Sequence, residues 1–533
     1  GPGPAAESYL MSETIIRTAL RASAEAVHPG FGFLAENAAF ARACAAAGLV
    51  FVGPPPEAID AMGSKISARR AMQAAGVPVI PGTNDPVESV EQALEIAAGI
   101  GYPVVVKAAA GGGGKGIEVA NDEGQLRRVY DSARRQGRAY FADDTVFLER
   151  YLDDPRHVEV QVLADAHGSI VHLGERDCSI QRRHQKIIEE TPSTAVSAEL
   201  RERIGRIGIE AARAVGYVNA GTVEGLLDRD GSYFFLEMNT RLQVEHTVTE
   251  MVTGIDLVRE QLRIAFGQPL SFGQDDVRLN GHSIQCRINA EDAARDFVPT
   301  PGRVTRYREP AGPGVRVDSG VVEGSLISDL YDPMIAKLIV WDADRDLARR
   351  RMLRALSEFE IEGVRSLVPL HLAVLEHPEF AAGGTMREFV EGGGYQRSIE
   401  PQPPMTDGLK DAAPLTEPRM LITEVDGKRF EVTVFEPEHP GRTRLRQRLA
   451  QLAERSTRRG GGVDVVRSPM QGTVLTVSVQ AGGEVQPGQV LVVVEAMKME
   501  NEIVARRSGT VESVSVGEGD QVTSGQELLR LDG

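Results

Sequence analysis

Cysteine is scarce: three residues, Cys44, Cys178 and Cys286, in a chain of 533. An odd number set far apart gives no disulfide framework and none of the close spacing of a zinc site, which suits a reducing cytosol. Long apolar runs are missing as well. No stretch approaches the roughly 18 consecutive apolar residues of a membrane-spanning helix, and the opening GPGPAAESYL lacks the basic-then-apolar order of a secretory signal. The expectation is therefore a cytoplasmic protein with no membrane partner. Positive charge is in deficit, with a formal net charge of −17. That argues against nucleic acid, whose phosphates require a basic footprint. It leaves open a phosphorylated small molecule, which one local cluster of Lys and Arg can hold whatever the global sign.

What is present is an ordinary globular composition, 42% hydrophobic and 25% charged, in a chain too long for one core. Three or four domains are expected. Residues 1–52 alternate helix and strand, but no strand precedes Ser12, so the first sheet reads as incomplete. The Pro-rich GPPPEA opens a helical linker over 53–76. Residues 77–152 place the strands PVVVKAA and DTVFLERYL around a glycine-rich loop and a charged helix. Strands and helices then alternate over 153–394, as in a large α+β lobe. Residues 395–463 read as a connector: QPPMTDGLKDAAPLTEP has linker composition, LITEVDGKRFEVTVFEPE reads as a hairpin turned at Asp426-Gly427, and a basic helical tether follows.

Residues 464–533 contain an internal repeat. QGTVLTVSVQAGGEVQPGQVLVVVE matches SGTVESVSVGEGDQVTSGQELLRLD at an offset of 37 positions, Gly472 falling on Gly509 and Leu491 on Leu528. Each half has period-two alternation and glycine turns, so the halves are expected to close as a small pseudo-twofold barrel. EAMKMEN, with Lys498 at its centre, lies at the hairpin between them.

Three constellations carry chemistry. KAAAGGGGKGI follows a strand; its glycines allow backbone N–H groups close to phosphate oxygens, and Lys107 and Lys115 add positive charge, although a flexible hairpin loop would look similar. LERYLDDPRHVEVQV sets His157, Glu159 and Gln161 on one strand face, with ERDCSIQRRHQKIIEE bringing Gln181, His184 and Lys186 soon after. A solvated charge run would also fit the latter. Finally, Thr222-Val223-Glu224, a turn at Asp228–Gly231 and the returning FFLEMNTRLQVEH predict an antiparallel pair with Glu224 facing Glu237. Facing carboxylates repel unless a cation lies between them, and Mg²⁺ suits hard oxygen ligands shared with nucleotide phosphates. Taken two by two, LEMNTRLQVEH puts Glu237, Asn239, Arg241, Gln243 and Glu245 on one side of this strand.

The blocks HPGFGFLAEN, KAAAGGGGKG, ERDCSIQRRHQK, EMNTRLQVEH, CRINAED and YDPMIAKLI resemble the signature of biotin carboxylases, and EAMKM in a repeated barrel resembles the biotin carboxyl carrier domain. The likeness covers nearly the whole chain apart from 395–463. It implies an α/β and α+β multidomain fold: a truncated pre-ATP-grasp domain, an ATP-grasp lid, a C-terminal lobe, and a small all-β biotinyl/lipoyl-type barrel-sandwich domain. It also implies roles. Lys65, Lys107, Gly111, Gly112, Gly113, Gly114, Lys115, Glu149, Leu152, His157, Gln181 and His184 would contact ATP. Glu224, Glu237 and Asn239 would hold Mg²⁺ or Mn²⁺. Arg241, Gln243 and Val244 would bind bicarbonate, Glu245 would be the general base, Lys186 would support carboxyphosphate, and Arg287 would stabilise the biotin enolate. Lys498 would carry biotin, attached by a biotin protein ligase.

Against the family pattern, one strand-helix unit with an Asn-Arg-Gly-Glu block is expected before Gly1. Phe31 stands where tyrosine is usual, Ser64 where aspartate is usual, and Gly225 in place of a bulky residue. With no transferase sequence after the carrier, the resemblance points to the α subunit of an acetyl- or propionyl-CoA carboxylase. Such a chain works in a hetero-oligomer with a separate carboxyltransferase β subunit, here with hairpin 421–435 as a reduced contact element. The alternatives are another ATP-grasp ligase joining a carboxylate to an amine, and a carrier whose carboxylase half is inert.

Overall fold

The computed structural model describes residues 3–108, 117–141, 145–399, 416–425, 428–437, 464–469, 471–496, 499–505, 507–523 and 525–532. The glycine-rich loop, the basic tether and Lys498 lie outside them, and the side chain of Lys65 is likewise not described.

The chain opens with helix α1 (Ser12–Arg21) and strand β1 (Ala26–Val27). Helix α2 (Ala38–Ala46), capped by the Asn37 side chain on the Phe40 amide, leads to strand β2 (Val50–Phe51), which pairs parallel with β1. Two helices fill the expected linker, α3 (Pro56–Gly63) and α4 (Lys65–Ala74). Ser64 caps α4 by accepting from the Ser67 amide, a role either serine or aspartate performs, which accounts for that departure from the family pattern.

A three-stranded antiparallel sheet comes next, β3 (Val104–Ala108) at its centre between β4 (Ile117–Ala120) and β5 (Val146–Arg150). Helices α5 (Val90–Ile100) and α6 (Glu123–Phe141) cover it over Ala93, Ala97, Val104, Leu126 and Leu148.

The main lobe is built on one antiparallel sheet of eight strands. They are β6 (Arg156–Ala164), β7 (Ile170–Arg182), β8 (Gln185–Thr191), β9 (Asn219–Leu227), β10 (Tyr233–Asn239), β11 (His282–Asn289), β12 (Val315–Ser319) and β13 (Met334–Asp342), in spatial order β10-β9-β6-β7-β8-β11-β13-β12. Alternation assigns the faces. Val158, Val160 and Val162 of β6 pack under helix α7 (Ala198–Ala214), and a Cβ at Gly208 would come within 2.8 Å of Val160, so glycine lets the helix sit that close. The opposite face of the sheet carries polar groups under the helix α8 (His246–Thr253) and the segment before it. In sequence, helix α9 (Leu257–Ala265) follows α8 and precedes β11. Beyond β11 and β13, helices α10 (Arg345–Glu358) and α11 (Val368–Glu376) close a second core around Ile284, Leu338, Met352 and Leu370.

Gly225, the departure beside Glu224, has a packing reason. The Tyr233 ring lies over it, so that a Cβ there would fall 2.2 Å from Cζ, and the Tyr233 hydroxyl donates to the Val158 carbonyl at 3.1 Å. The ring occupies the volume a larger residue 225 would need.

Strands β14 (Thr416–Val425) and β15 (Lys428–Pro437) pair antiparallel as the expected hairpin, Val425 opposite Lys428. The C-terminal barrel obeys the repeat: its strands Gly472–Val477, Glu484–Val485 and Val490–Ala496 recur, each starting 37 positions on, as Gly509–Val514, Gln521–Val522 and Glu527–Asp532. Each half lends a short strand to the other's sheet, Val485 pairing with Gly509 and Gly472 with Val522. Val474, Leu491, Val494, Val511, Leu528 and Leu529 fill the space between the two sheets.

Candidate active site

The hairpin β9–β10 sets Glu224 directly opposite Glu237, as the sequence predicts, although a bulge between Phe235 and Glu237 leaves both Leu236 and Glu237 exposed. The strand itself stops at Asn239. The expected five-residue polar face is thus corrected: Glu237 and Asn239 are on β10, whereas Arg241, Gln243 and Glu245 come from the turn that enters α8. The turn is pinned from the N-terminal region by Glu36, which accepts from the Thr240 amide at 2.9 Å and from Arg241 Nε at 2.8 Å. The polar series therefore converges without a strand to carry it.

One cleft of about 1260 Å³ is lined by Lys107, Glu149, His157, Gln181, His184, Lys186, Glu224, Glu237, Asn239, Arg241, Gln243, Val244, Glu245 and Arg287. Leu152 is buried and does not line it. Lys107 pairs with Glu149, which also faces Arg69 at 3.3 Å. His184 follows Arg183 in the two-residue turn between β7 and β8, both at positive φ, the conformation that suits a tight hairpin but strains side-chain-bearing residues. Gln181 donates to the Cys178 carbonyl at 2.7 Å. Phe31, at the usual tyrosine position, is part of the cleft lining and partly exposed.

At the floor, Lys186 Nζ contacts three carboxylates: Glu245 at 2.6 Å, Glu224 at 2.9 Å, and Glu159. Burial lowers the proton affinity of Lys186, but Glu159, Glu245 and Glu224 outweigh that and hold the ammonium well above its usual range. Glu245 is 2% exposed and lies between Lys186 and Arg287, whose Nη2 donates to it at 2.8 Å. Burial would raise its pKa; Lys186, Arg287 and Arg176 together pull it well below the carboxylate norm, so it is ionised. Arg287 is anchored on its other side by Glu189, and His371 holds its carbonyl at 2.7 Å. His157 Nε2 lies 2.9 Å from Glu224 Oε2. Burial lowers the imidazole's proton affinity, and the Glu224 charge more than restores it.

The donor chemistry suits a hard divalent ion, since Glu224 and Glu237 offer carboxylate oxygens to the same cleft. Asn239 donates its Nδ2 to Glu224 at 2.9 Å, and its oxygen accepts from Arg241 at 2.8 Å. Among the described residues, two groups bring three ligand atoms within 4.8 Å of one another: His157–Glu159–Glu224 and Glu159–Cys178–Glu245. Glu224 belongs to the first of these, and Glu237 to neither. Val244 presents its carbonyl to Lys337 Nζ at 3.4 Å.

Sequence reasoning passed over Arg176, Glu189 and Glu36. Arg176 is fully buried at the centre of the sheet, with Glu159, Gln161, Thr222, Thr249 and Gln243 around it. Its signal was its place inside ERDCSIQRRHQK, as the second residue of a block that otherwise reads as a solvated charge run.

Comparison with known proteins gives four family matches in chain order: biotin carboxylase, N-terminal domain (1–59); carbamoyl-phosphate synthase L chain, ATP binding domain (64–272); biotin carboxylase C-terminal domain (285–392); and biotin-requiring enzyme (464–531). The chain is 50% identical over 399 residues to a pyruvate carboxylase subunit of Methanothermobacter thermautotrophicus, spanning 75% of this chain and 80% of that protein. It is 43% identical over 526 residues to the biotin-dependent acyl-coenzyme A carboxylase alpha3 subunit of Mycobacterium leprae, spanning 96% and 86%. The biotin carboxylase domain of Hydrogenobacter thermophilus 2-oxoglutarate carboxylase, crystallised with MgADP, ADP and bicarbonate, superposes with a TM-score of 0.70 at 45% identity, covering 75% of this chain and 88% of that one.

Proposed function

The chain belongs to the biotin carboxylase family, with a biotin-carrier domain fused to it, and on that premise we propose that it carboxylates its own biotin as the α subunit of an acyl-CoA carboxylase. The cofactors are covalent biotin, ATP and a divalent ion, Mg²⁺ or Mn²⁺. Lys498 carries the biotin. Residues Glu224, Glu237 and Asn239 would hold the ion; Lys65, Lys107, the 111–115 loop, Glu149, His157, Gln181 and His184 would hold the nucleotide. Bound biotin supplies the ureido nitrogen that accepts the carboxyl group, and the ion offsets charge on the ATP phosphates.

The observation that carries this reading is Glu245, a buried carboxylate clasped between Lys186 and Arg287 at the floor of the cleft. Alone with its two cations it is ionised and a weak base. When an anionic substrate draws Lys186 and Arg287 to itself, Glu245 loses part of its counter-charge and gains proton affinity. It then takes the proton of bicarbonate, whose oxygen attacks the γ-phosphoryl group as ADP leaves, giving carboxyphosphate. Arg241, Gln243 and the Val244 backbone orient the bicarbonate. Lys186 balances carboxyphosphate until it separates into CO₂ and phosphate, and the phosphate accepts the ureido proton. Arg287 provides fixed positive charge where negative charge develops on the ureido oxygen.

The acyl-CoA assignment, with acetyl- or propionyl-CoA as acceptor, rests on an alignment that runs through the carrier to 96% of this chain. A separate β subunit supplies the transferase, the cytoplasm is the site of action, and the β14–β15 hairpin is the contact element. A 2-oxo acid acceptor is the second reading, favoured by the pyruvate carboxylase relative. Two assays decide. ADP release that depends on bicarbonate and rises with added biotin supports the first half-reaction, and its absence removes it. Carboxylation of acetyl-CoA and propionyl-CoA against pyruvate, by the complex purified with its partner, then selects the acceptor.

A further inference from the structure

Arg176 has five N–H donors, and the structure gives each one an acceptor. Nε donates to Glu159; Nη1 donates to Gln161 Oε1 at 2.8 Å and Thr249 Oγ1 at 3.0 Å; Nη2 donates to Gln243 Oε1 at 2.7 Å and Thr222 Oγ1 at 3.2 Å. The side chain is 0% exposed. A guanidinium satisfied this completely inside a sheet is locked in one geometry.

The consequence falls on Gln243. Its amide has Arg176 on one side and Glu224 on the other, Nε2 lying 2.5 Å from Glu224 Oε1. Arg176 can only donate and an ionised Glu224 can only accept, so the amide oxygen must face the arginine and the amide nitrogen the carboxylate. The flipped amide would set oxygen against carboxylate and N–H against N–H. Gln243 also lines the cleft, and its amide nitrogen carries a second N–H beyond the one given to Glu224.

We propose that Arg176 is the positioning residue that holds the Gln243 amide with its nitrogen toward the anion, and that this sets the affinity for bicarbonate. The inference rests on the reading of Gln243 as a bicarbonate ligand. Arg176 touches no substrate; it acts through Gln243. Lysine cannot replace it, because a point charge does not reach acceptors on β6, β9, α8 and the turn together.

The experiment uses the full-length biotinylated chain, measuring ADP release with added biotin while bicarbonate and ATP are varied separately. Arg176→Lys is expected to raise the KM for bicarbonate about 10- to 100-fold, the range for losing one charge-assisted hydrogen bond, with the KM for ATP changed less than about twofold. The double variant Thr222→Val/Thr249→Val keeps the arginine but removes two of its anchors, and is expected to raise the bicarbonate KM about threefold. It decides the matter alone if Arg176→Lys does not fold. Gln243→Ala separates the two levels of the argument. If it leaves the bicarbonate KM unchanged, the reading of the site fails. If it raises that KM while folded Arg176→Lys and the threonine double variant leave it within about twofold, or raise both KM values together, the proposal for Arg176 is overturned and the site reading stands.

Discussion

The floor of the large lobe's cleft and the interior of the C-terminal barrel bury opposite kinds of matter. Beneath the cleft, Glu159, Arg176, Glu189, Gln243 and Glu245 are each at most 2% exposed, charged or polar, and matched to one another. In the barrel the two sheets enclose Val474, Leu491, Val494, Leu528 and Leu529, and among its described residues Ser468 and Asn501 are the buried polar ones. A buried charge is tolerated only when paired, so the lobe is committed to one arrangement of partners. The barrel interior needs only shape and hydrophobicity. The lesson is that chemistry and stability share residues in one region and are separable in the other.

The largest effect expected from this contrast is at Glu245. Glu245→Gln should lower kcat for carboxylation of added biotin by about 10² to 10⁴ while leaving streptavidin blotting of the chain unchanged. Retained activity would break the comparison at its root. Lys498→Ala should do the reverse, abolishing the blot signal and sparing carboxylation of added biotin. Next in size, Leu529→Ala should destabilise the barrel by about 2–5 kcal/mol, read from denaturant unfolding, with the biotin-carboxylation rate unmoved. A parallel fall in that rate would show that the regions are coupled.

A smaller effect is expected at Gly225. A methyl group there meets the Tyr233 ring, and overpacking of this kind costs about 1–3 kcal/mol. Melting of Gly225→Ala, Tyr233→Ala and Gly225→Ala/Tyr233→Ala should show non-additive losses; simple additivity would place the clash elsewhere.

A further effect concerns pH. Burial pushes the Glu291 carboxyl up to about 7, from an ordinary 4.5, with Asn289 opposing. The unfolded chain therefore releases this proton at lower pH than the folded one. Stability of the lobe should fall as pH rises from about 4.5 to about 7 and lose nothing further above that. Glu291→Gln should flatten the slope of melting temperature across this window. The barrel transition should lack the slope in both proteins; finding it there as well would assign it to some other group.

Much of this is legible in the sequence, for physical reasons that vary by residue. Val158, Val160 and Val162 alternate with His157, Glu159 and Gln161, and the sheet uses that alternation. The turn at Asp228–Gly231 fixes the register of its hairpin as far as Phe235 opposite Gly225, and the bulge that follows, which spacing does not show, brings Glu237 rather than Leu236 opposite Glu224. The carrier repeat announces its own symmetry. What is not legible depends on contacts distant in sequence. Nothing near Arg241 says that its strand ends at Asn239, because the turn is held by Glu36, 205 positions earlier. Nothing near Arg176 says that it is buried, since its five acceptors come from four other elements. Phe31 and Ser64 are visible as departures, and only the surroundings show that Ser64 still caps its helix.

Tyr233 lying over Gly225 also constrains how this lobe could have diverged. Enlarging residue 225 first would drive a side chain into an aromatic ring, whereas trimming the ring first opens a void that a later, bulkier neighbour can fill. A lineage moving between the two solutions would pass more readily through a trimmed ring than through an enlarged residue 225.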